Sequence, residues 1–384
     1  MTHTNTILHQ VLKNVPRHEF EKLANQYDGD RRRGAFSRWS QFVALAVGQL
    51  ASRSSLRDIE ATMDSQTAIR YHTACQPVKR TTLARANEKL DGDFYQSLFQ
   101  RLYQRCQRSS SKKSFKFKGK LFSLDASLIS VSLKLFPTAN YNTMKGAFKL
   151  HVGLDHDGLI PAFAAVTPGK DSDMSQAKMM RFPKGSVVVF DRGYNDLGWH
   201  ETLSKQGVFY VSRLRANALY KVVEQRDCST LDHVTSDHII QYSGKRAKEE
   251  GWRPIRKVGY RDPETGKHYV FVTNQLNWSA KMVAEIYKQR WQIELLFKWI
   301  KQNLKIKSFL GLSINAVKTQ IFIALCIYLL LGFIKYQSRA GSSLQQIFRL
   351  IQVNLFARRS LVELIKPPPI EQASPAQMML GGFG

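Results

Sequence analysis

The stretch Val187-Val188-Val189-Phe190 restricts the fold more than any other part of the chain. It is apolar at every position and mostly β-branched. A strand with one wet face would alternate, so this one is predicted to be central and covered on both sides. That requires helices layered on a mixed or parallel sheet. Asp191-Arg192-Gly193-Tyr194 follows at once. Asp191 therefore ends a central strand, where open α/β sheets place their sites, and Gly193 permits a sharp turn.

The neighbouring segments fit such a sheet. Leu121 to Val131 reads as a strand carrying Asp125 among apolar residues, and a carboxylate there needs a partner or a metal. Phe148 to Asp155 and Leu159 to Val166 read as two more strands, joined by the turn Asp155-His156-Asp157-Gly158. The alternating acids of that turn lack the later ligands of a calcium loop. Thr167 to Pro183 holds a polar turn and a short helix. Asn195 or Asp196 is placed to cap a helix reaching about Gln206, and Val208 to Ser212 and Tyr269 to Thr273 read as strands.

Composition shifts divide the chain. Residues 1–108 read as a helical, DNA-binding domain, with Trp39 to Leu50 apolar at helical spacing. Ser54-Ser55 and Thr81-Thr82 are expected caps, and Arg31-Arg32-Arg33-Gly34 a basic loop. Both a helix-turn-helix-like reader and a bundle with a solvated basic face fit this region. Residues 109–120 are a basic, Ser-rich linker, and 121–212 together with 271–340 form the α/β domain. Residues 213–270, rich in turns and short alternating segments, read as a β-rich insertion. Residues 341–384 form a C-terminal region with a Pro367-Pro368-Pro369 tail.

Lys and Arg number 57 against 30 Asp and Glu, a net charge of +27, spread along the chain. Such an excess calls for a polyanionic partner, with nucleic acid first. The four cysteines lie far apart with no Cys-x-x-Cys, which fits a reducing cytoplasm and argues against a zinc site. The N-terminus has no signal-peptide core. Ile321 to Ile334 is apolar but short of the roughly 20 residues that cross a bilayer. It is expected to be a buried core helix, and no membrane is implied.

Tyr287 to Lys301 contains no Pro or Gly and is predicted to be one helix, with Ser279 as a cap upstream. At about 100° per residue, Tyr287, Arg290, Glu294 and Lys301 share one polar stripe on an otherwise apolar helix. One reading is a solvated Glu–Arg pair. The other is a carboxylate held beside a phosphate backbone gripped by Arg290 and Lys301. Three carboxylates then stand out: Asp125, Asp191 and Glu294. If they converge, oxygen ligands without Cys or His suit a hard cation, most simply Mg²⁺. Two such ions would serve phosphodiester chemistry.

The spacing Tyr-x₂-Arg-x₃-Glu-x₆-Lys at Tyr287, Arg290, Glu294 and Lys301 resembles the YREK signature of bacterial insertion-sequence transposases of the DDE class. Phe190 to Tyr194 and Leu124-Asp125-Ala126-Ser127 resemble the surroundings of that family's first two acids. The resemblance implies an RNase H-like mixed-sheet core with a β-rich insertion and an N-terminal helical domain. It implies Mg²⁺-dependent cleavage at transposon ends, with Mn²⁺ as a substitute, and strand transfer into target DNA. Tyr287, Arg290 and Lys301 would contact DNA phosphates, and Trp252 is the candidate aromatic for a flipped base. Arg192 and Tyr194 would shape the site. A homodimer on double-stranded DNA, in the bacterial cytoplasm at the nucleoid, is expected. The competing readings are a related RNase H-fold nuclease or resolvase, and an inactive transposase-derived DNA-binding protein.

Overall fold

The computed structural model describes residues 5–29, 36–109, 119–130, 147–306, 309–311 and 313–366. The Arg31–Arg33 loop, most of the 109–120 linker and the Pro-rich tail lie outside the described residues. The chain begins with seven helices among the described residues: α1 (Ile7–Leu12), α2 (Arg17–Asp28), α3 (Arg38–Leu50), α4 (Leu56–Ser65), α5 (Thr67–Thr73), α6 (Arg80–Lys89) and α7 (Asp93–Ser109). Ser55 caps α4 by accepting from the Asp58 N–H, as the sequence suggests. The expected Thr81-Thr82 cap does not form: α6 starts at Arg80, and Lys79 stands at the cap with no side-chain bond.

The next block alternates strands and helices: β1 (Leu121–Ser130), β2 (Ala147–Asp155), β3 (Ile160–Pro168), α8 (Asp173–Met179), β4 (Val187–Val189), α9 (Leu197–Lys205) and β5 (Phe209–Arg213). Then come β6 (Tyr220–Gln225), β7 (Val234–Tyr242), α10 (Lys245–Glu249), β8 (Ile255–Arg261) and β9 (His268–Thr273). The helices α11 (Ala280–Lys288), α12 (Trp291–Asn303), α13 (Ile314–Ser338), α14 (Leu344–Val353) and α15 (Leu361–Ile365) complete the described chain.

The strands form one nine-stranded sheet in the order β3-β2-β1-β4-β5-β9-β8-β7-β6. β1, β4 and β5 run parallel, whereas β2 and β3 are an antiparallel meander on β1. This five-strand arrangement is the RNase H-like core. Residues 213–270 do supply three strands, and these extend the same sheet: β9 pairs with β5 on one side and with β8 on the other.

Val187–Val189 sits at the centre of the core with both faces covered, which accounts for its unbroken apolarity. Leu124, Val188 and Phe190 pack against Trp199 and Leu203 of α9. On the other face, Leu121, Val187, Val189 and Val211 pack against Val283 and Ile286 of α11. Leu150, Val152 and Leu154 of β2 meet the cluster that contains α12 and α13.

The apolar run Ile321–Ile334 lies inside α13, a helix of 25 residues. It is long and apolar enough to cross a membrane, but 89% of its most apolar window is buried within the protein. It packs on α3, α6, α7, α14 and β3, so the N-terminal helices and the sheet share one hydrophobic core. The sequence run understated its length because both ends carry polar residues.

The expected single helix Tyr287–Lys301 is two. Ser279 caps α11 by accepting from the Met282 N–H, but α11 ends at Lys288 and α12 begins at Trp291. At the junction the N–H groups of Gln289, Arg290, Gln292 and Ile293 each donate to the carbonyl three residues earlier. This 3₁₀-type tightening turns the chain faster than an α-helix and places Arg290 at the bend.

Candidate active site

Parallel pairing of β1 with β4 sets Ser123 opposite Val189. Two residues further along each chain lie Asp125 and Asp191, so the register brings them level at the C-terminal end of the sheet's centre. The side-chain period of two puts Asp125 on the face of Leu121. Asp191 has extended backbone, φ −85° and ψ −176°, and by the same period continues the face of Val187 and Val189. This is the face covered by α11 and α12. Glu294, in the first turn of α12, approaches it from above, and α12 packs on β1.

Each carboxylate is fixed locally. Asp125 Oδ1 accepts from the Ala126 N–H at 2.8 Å. Asp191 caps a 3₁₀ turn (Arg192–Tyr194), its Oδ1 accepting from the Gly193 N–H at 2.7 Å. A Cβ at Gly193 would stand 2.9 Å from that same oxygen, which is the steric reason for glycine. Ser212 Oγ, on β5, donates to the Asp191 carbonyl at 3.3 Å.

Arg290 links the acids. Its Nη1 lies 3.6 Å from Asp125 Oδ2, and its Nη2 donates to Glu294 Oε1 in a short i,i+4 pair. Its Nε is buried with no hydrogen-bond partner. Burial alone would lower the Arg290 pKa, yet Glu294, Tyr287 and Asp125 together hold it above the ordinary value. Burial pushes the Asp125 carboxyl up to about 6. The Ala126 N–H and Arg290 oppose that rise, while Asp191 and Glu294 add to it through like-charge repulsion.

Tyr287 stacks at a tilt on Phe271 of β9, ring centroids 4.8 Å apart, and burial raises its phenol pKa. Arg290 lies 5.9 Å from the Tyr287 ring centroid. Lys301 Nζ donates to Ser127 Oγ at 2.6 Å, one strand repeat beyond Asp125 on the same face. Tyr287, Arg290, Glu294 and Lys301 thus line up over β1 and β9 despite the helix break. Arg192 is exposed, while Tyr194 is buried, its ring packed on Phe190 and its hydroxyl without a hydrogen-bond partner.

Trp252 stands elsewhere. It is 7% exposed and belongs to the core cluster on the α9 face of the sheet, edge-on to Tyr242. Its Nε1 donates to Glu250 Oε2 at 2.9 Å, and Arg246 covers the ring at 5.8 Å. The structure therefore gives Trp252 a local core role and leaves little of its ring open for stacking. It does line a cavity with Asn195, Arg215, Asn217, Tyr242 and Arg246.

The sequence places Ser127 beside Asp125 and Ser212 at a strand end but gives neither a role. Ser127 carried a usable signal, since Asp125-Ala126-Ser127 is polar at every second position. Ser212 carried none, because its role depends on the β4–β5 pairing.

Among the described residues, no three His, Cys, Asp or Glu side chains are gathered closely enough to hold one ion as they stand. At this site Arg290 lies between Asp125 and Glu294. The donor chemistry nonetheless fits a hard divalent cation: three carboxylates, one with a raised pKa, and a cationic group already between two of them.

The family description "Transposase DDE domain" matches residues 116–330, and "Domain of unknown function (DUF4372)" matches residues 3–74. The assigned transposase y4zB of Sinorhizobium fredii (strain NBRC 101917 / NGR234) is 32% identical over 255 residues, 64% of this chain and 71% of its own length. The probable transposase for insertion sequence element IS5377 of Geobacillus stearothermophilus is 27% identical over 270 residues, 70% of each chain. Among solved structures, a piggyBac transposase synaptic complex with hairpin DNA aligns over 97% of this chain and 84% of its own. The TM-score is 0.47 and the sequence identity 11%. With more than half its length matched by the family description and a curated relative above 30% identity, the chain belongs to the transposase DDE domain family, as bacterial insertion-sequence transposases do.

Proposed function

We propose that this chain binds transposon ends as double-stranded DNA, cleaves phosphodiester bonds there, and transfers the freed ends into target DNA. The observation that supports this most directly is the level placement of Asp125 and Asp191 on neighbouring parallel strands beneath Glu294. These three carboxylates would hold two Mg²⁺ ions, with Mn²⁺ as a substitute. When bound, the ions supply activation of a water or 3′-hydroxyl and charge stabilisation at the leaving oxygen. Asp125 and Asp191 present oxygens from rigid strand ends, and Glu294 adds a longer carboxylate from the opposing helix.

Tyr287, Arg290 and Lys301 would grip the DNA backbone along α11 and α12, with Arg290 and Lys301 pairing with phosphates. The cavity beside Trp252 offers aromatic, amide and guanidinium groups to an unstacked base, with Trp252 as part of its wall. The +27 charge supports DNA association throughout the molecule. We place the protein on DNA as a homodimer, in the cytoplasm at the nucleoid.

The test is a strand-transfer assay with precleaved ends copied from the DNA flanking the gene, in Mg²⁺ and in Mn²⁺. Joined products are expected from the wild type, and none from Asp191→Asn. Cleavage without joining would replace this reading with a nuclease. Unchanged DNA processing in Asp191→Asn would remove the metal assignment.

A further inference from the structure

Arg290 stands where a cation is wanted. One guanidinium faces Asp125 at 3.6 Å and Glu294 in a direct hydrogen bond, so a single positive group joins the strand carboxylate to the helix carboxylate. It is partly buried, with a side chain 18% exposed, and its Nε is enclosed with no acceptor. The junction between α11 and α12 falls at this residue, where the backbone hydrogen bonds reach back three residues. Lys301 donates to the neutral Ser127 hydroxyl.

We infer that Arg290 is a positioning residue that holds Asp125 and Glu294 together as an internal stand-in for the metal, and that DNA releases it. The inference rests on the metal-binding role proposed above. A divalent ion and a guanidinium cannot share Asp125 and Glu294 without strong repulsion. In free protein the arginine therefore competes with the metal. A DNA phosphate offers Arg290 a bidentate acceptor with a full negative charge, and the planar fork fits it as well as it fits a carboxylate. When Arg290 turns to phosphate, both carboxylates lose their partner and become metal ligands. The unsatisfied Nε marks the side chain as not fully served in its present position.

The consequence is linkage. DNA raises metal affinity, and metal must raise DNA affinity by the same factor, which for coupled sites is typically about 5- to 150-fold. Premature metal loading is disfavoured, so the site is assembled only on its substrate.

The experiment titrates the purified full chain with Mn²⁺, following free Mn²⁺ by electron paramagnetic resonance. It is done with and without a duplex copied from the DNA flanking the gene, alongside Arg290→Gln and Asp125→Asn. The expected result is at least roughly fivefold tighter Mn²⁺ binding to the wild type when DNA is present. Arg290→Gln should bind Mn²⁺ more tightly than the wild type in the absence of DNA and should lose much of the DNA dependence. Thermal melting confirms that each variant is folded. If Arg290→Gln binds Mn²⁺ no tighter than the wild type without DNA, the inference is overturned while the metal site stands, provided Asp125→Asn abolishes the signal. If the wild type binds no Mn²⁺ under either condition, both the inference and the metal reading fail. Should Arg290→Gln melt as an unfolded chain, the wild-type comparison decides: equal Mn²⁺ affinity with and without DNA overturns the inference.

Discussion

Replacing Asp125 with Asn should stabilise the metal-free protein at neutral pH, and the size of the effect follows from the site. Burial holds the Asp125 carboxyl at about 6 against an ordinary 3.8. The raised folded-state pKa means that the stability contributed by the protonated acid is fully present below about pH 3.8. It is lost as pH rises through about 6. The full loss at pH 7.5 is about 3 kcal/mol. Arg290's attraction is already inside that net figure, and the side chain is only 23% exposed, so solvent screening discounts it little. Asparagine keeps an oxygen for the Ala126 N–H and carries no charge. For a chain of this length the gain corresponds to about 3–4 °C in melting temperature. At pH 4.5 the advantage should fall to about 1 kcal/mol, because the wild type is then largely protonated when folded. The assay is thermal melting of both proteins in a chelating buffer, without DNA, at pH 7.5 and 4.5. An Asp125→Asn variant that melts at or below the wild type at pH 7.5 would refute the reasoning. So would an advantage that does not shrink at pH 4.5.

Two further outcomes are expected. Gly193→Ala forces a methyl group to within 2.9 Å of Asp191 Oδ1, so the carboxylate must move. Cleavage should slow by roughly a hundredfold, as an ångström-scale misplacement costs, while the melting temperature stays nearly unchanged. Lys301→Met should weaken binding of all DNA sequences alike and reduce the slope of log K against log salt by about one. Fluorescence anisotropy across a salt series measures both.

Much of the fold was legible because apolar patterning is local. Val187–Phe190 announced a central strand, and the segment around Asp125 announced another. What the sequence could not supply was register. The level placement of Asp125 and Asp191 arises from parallel pairing between strands separated by a meander and a helix, and no local pattern encodes it. The break at Gln289–Arg290 was hidden for a related reason: every residue there is a competent helix former, so propensity could not mark the bend. Trp252 shows how one aromatic can serve two surroundings, since it packs in the small core around Tyr242 and also lines the neighbouring cavity. The membership of β6, β7 and β8 in the main sheet was likewise invisible, because it depends on β9 returning beside β5.

The central position of α13 also sets a clock. Helices α1, α3, α6 and α7 leave the ribosome long before α13, on which they pack, since α7 ends at Ser109 and α13 at Ser338. At synthesis rates of about 5–20 residues per second, that interval is roughly 10–50 s. During it the inner faces of α3 and α7, including Phe99 that meets Phe322, have no α13 to cover them. Chaperone demand should therefore peak midway through translation, and the finished enzyme should appear as a unit only when its last third has been made.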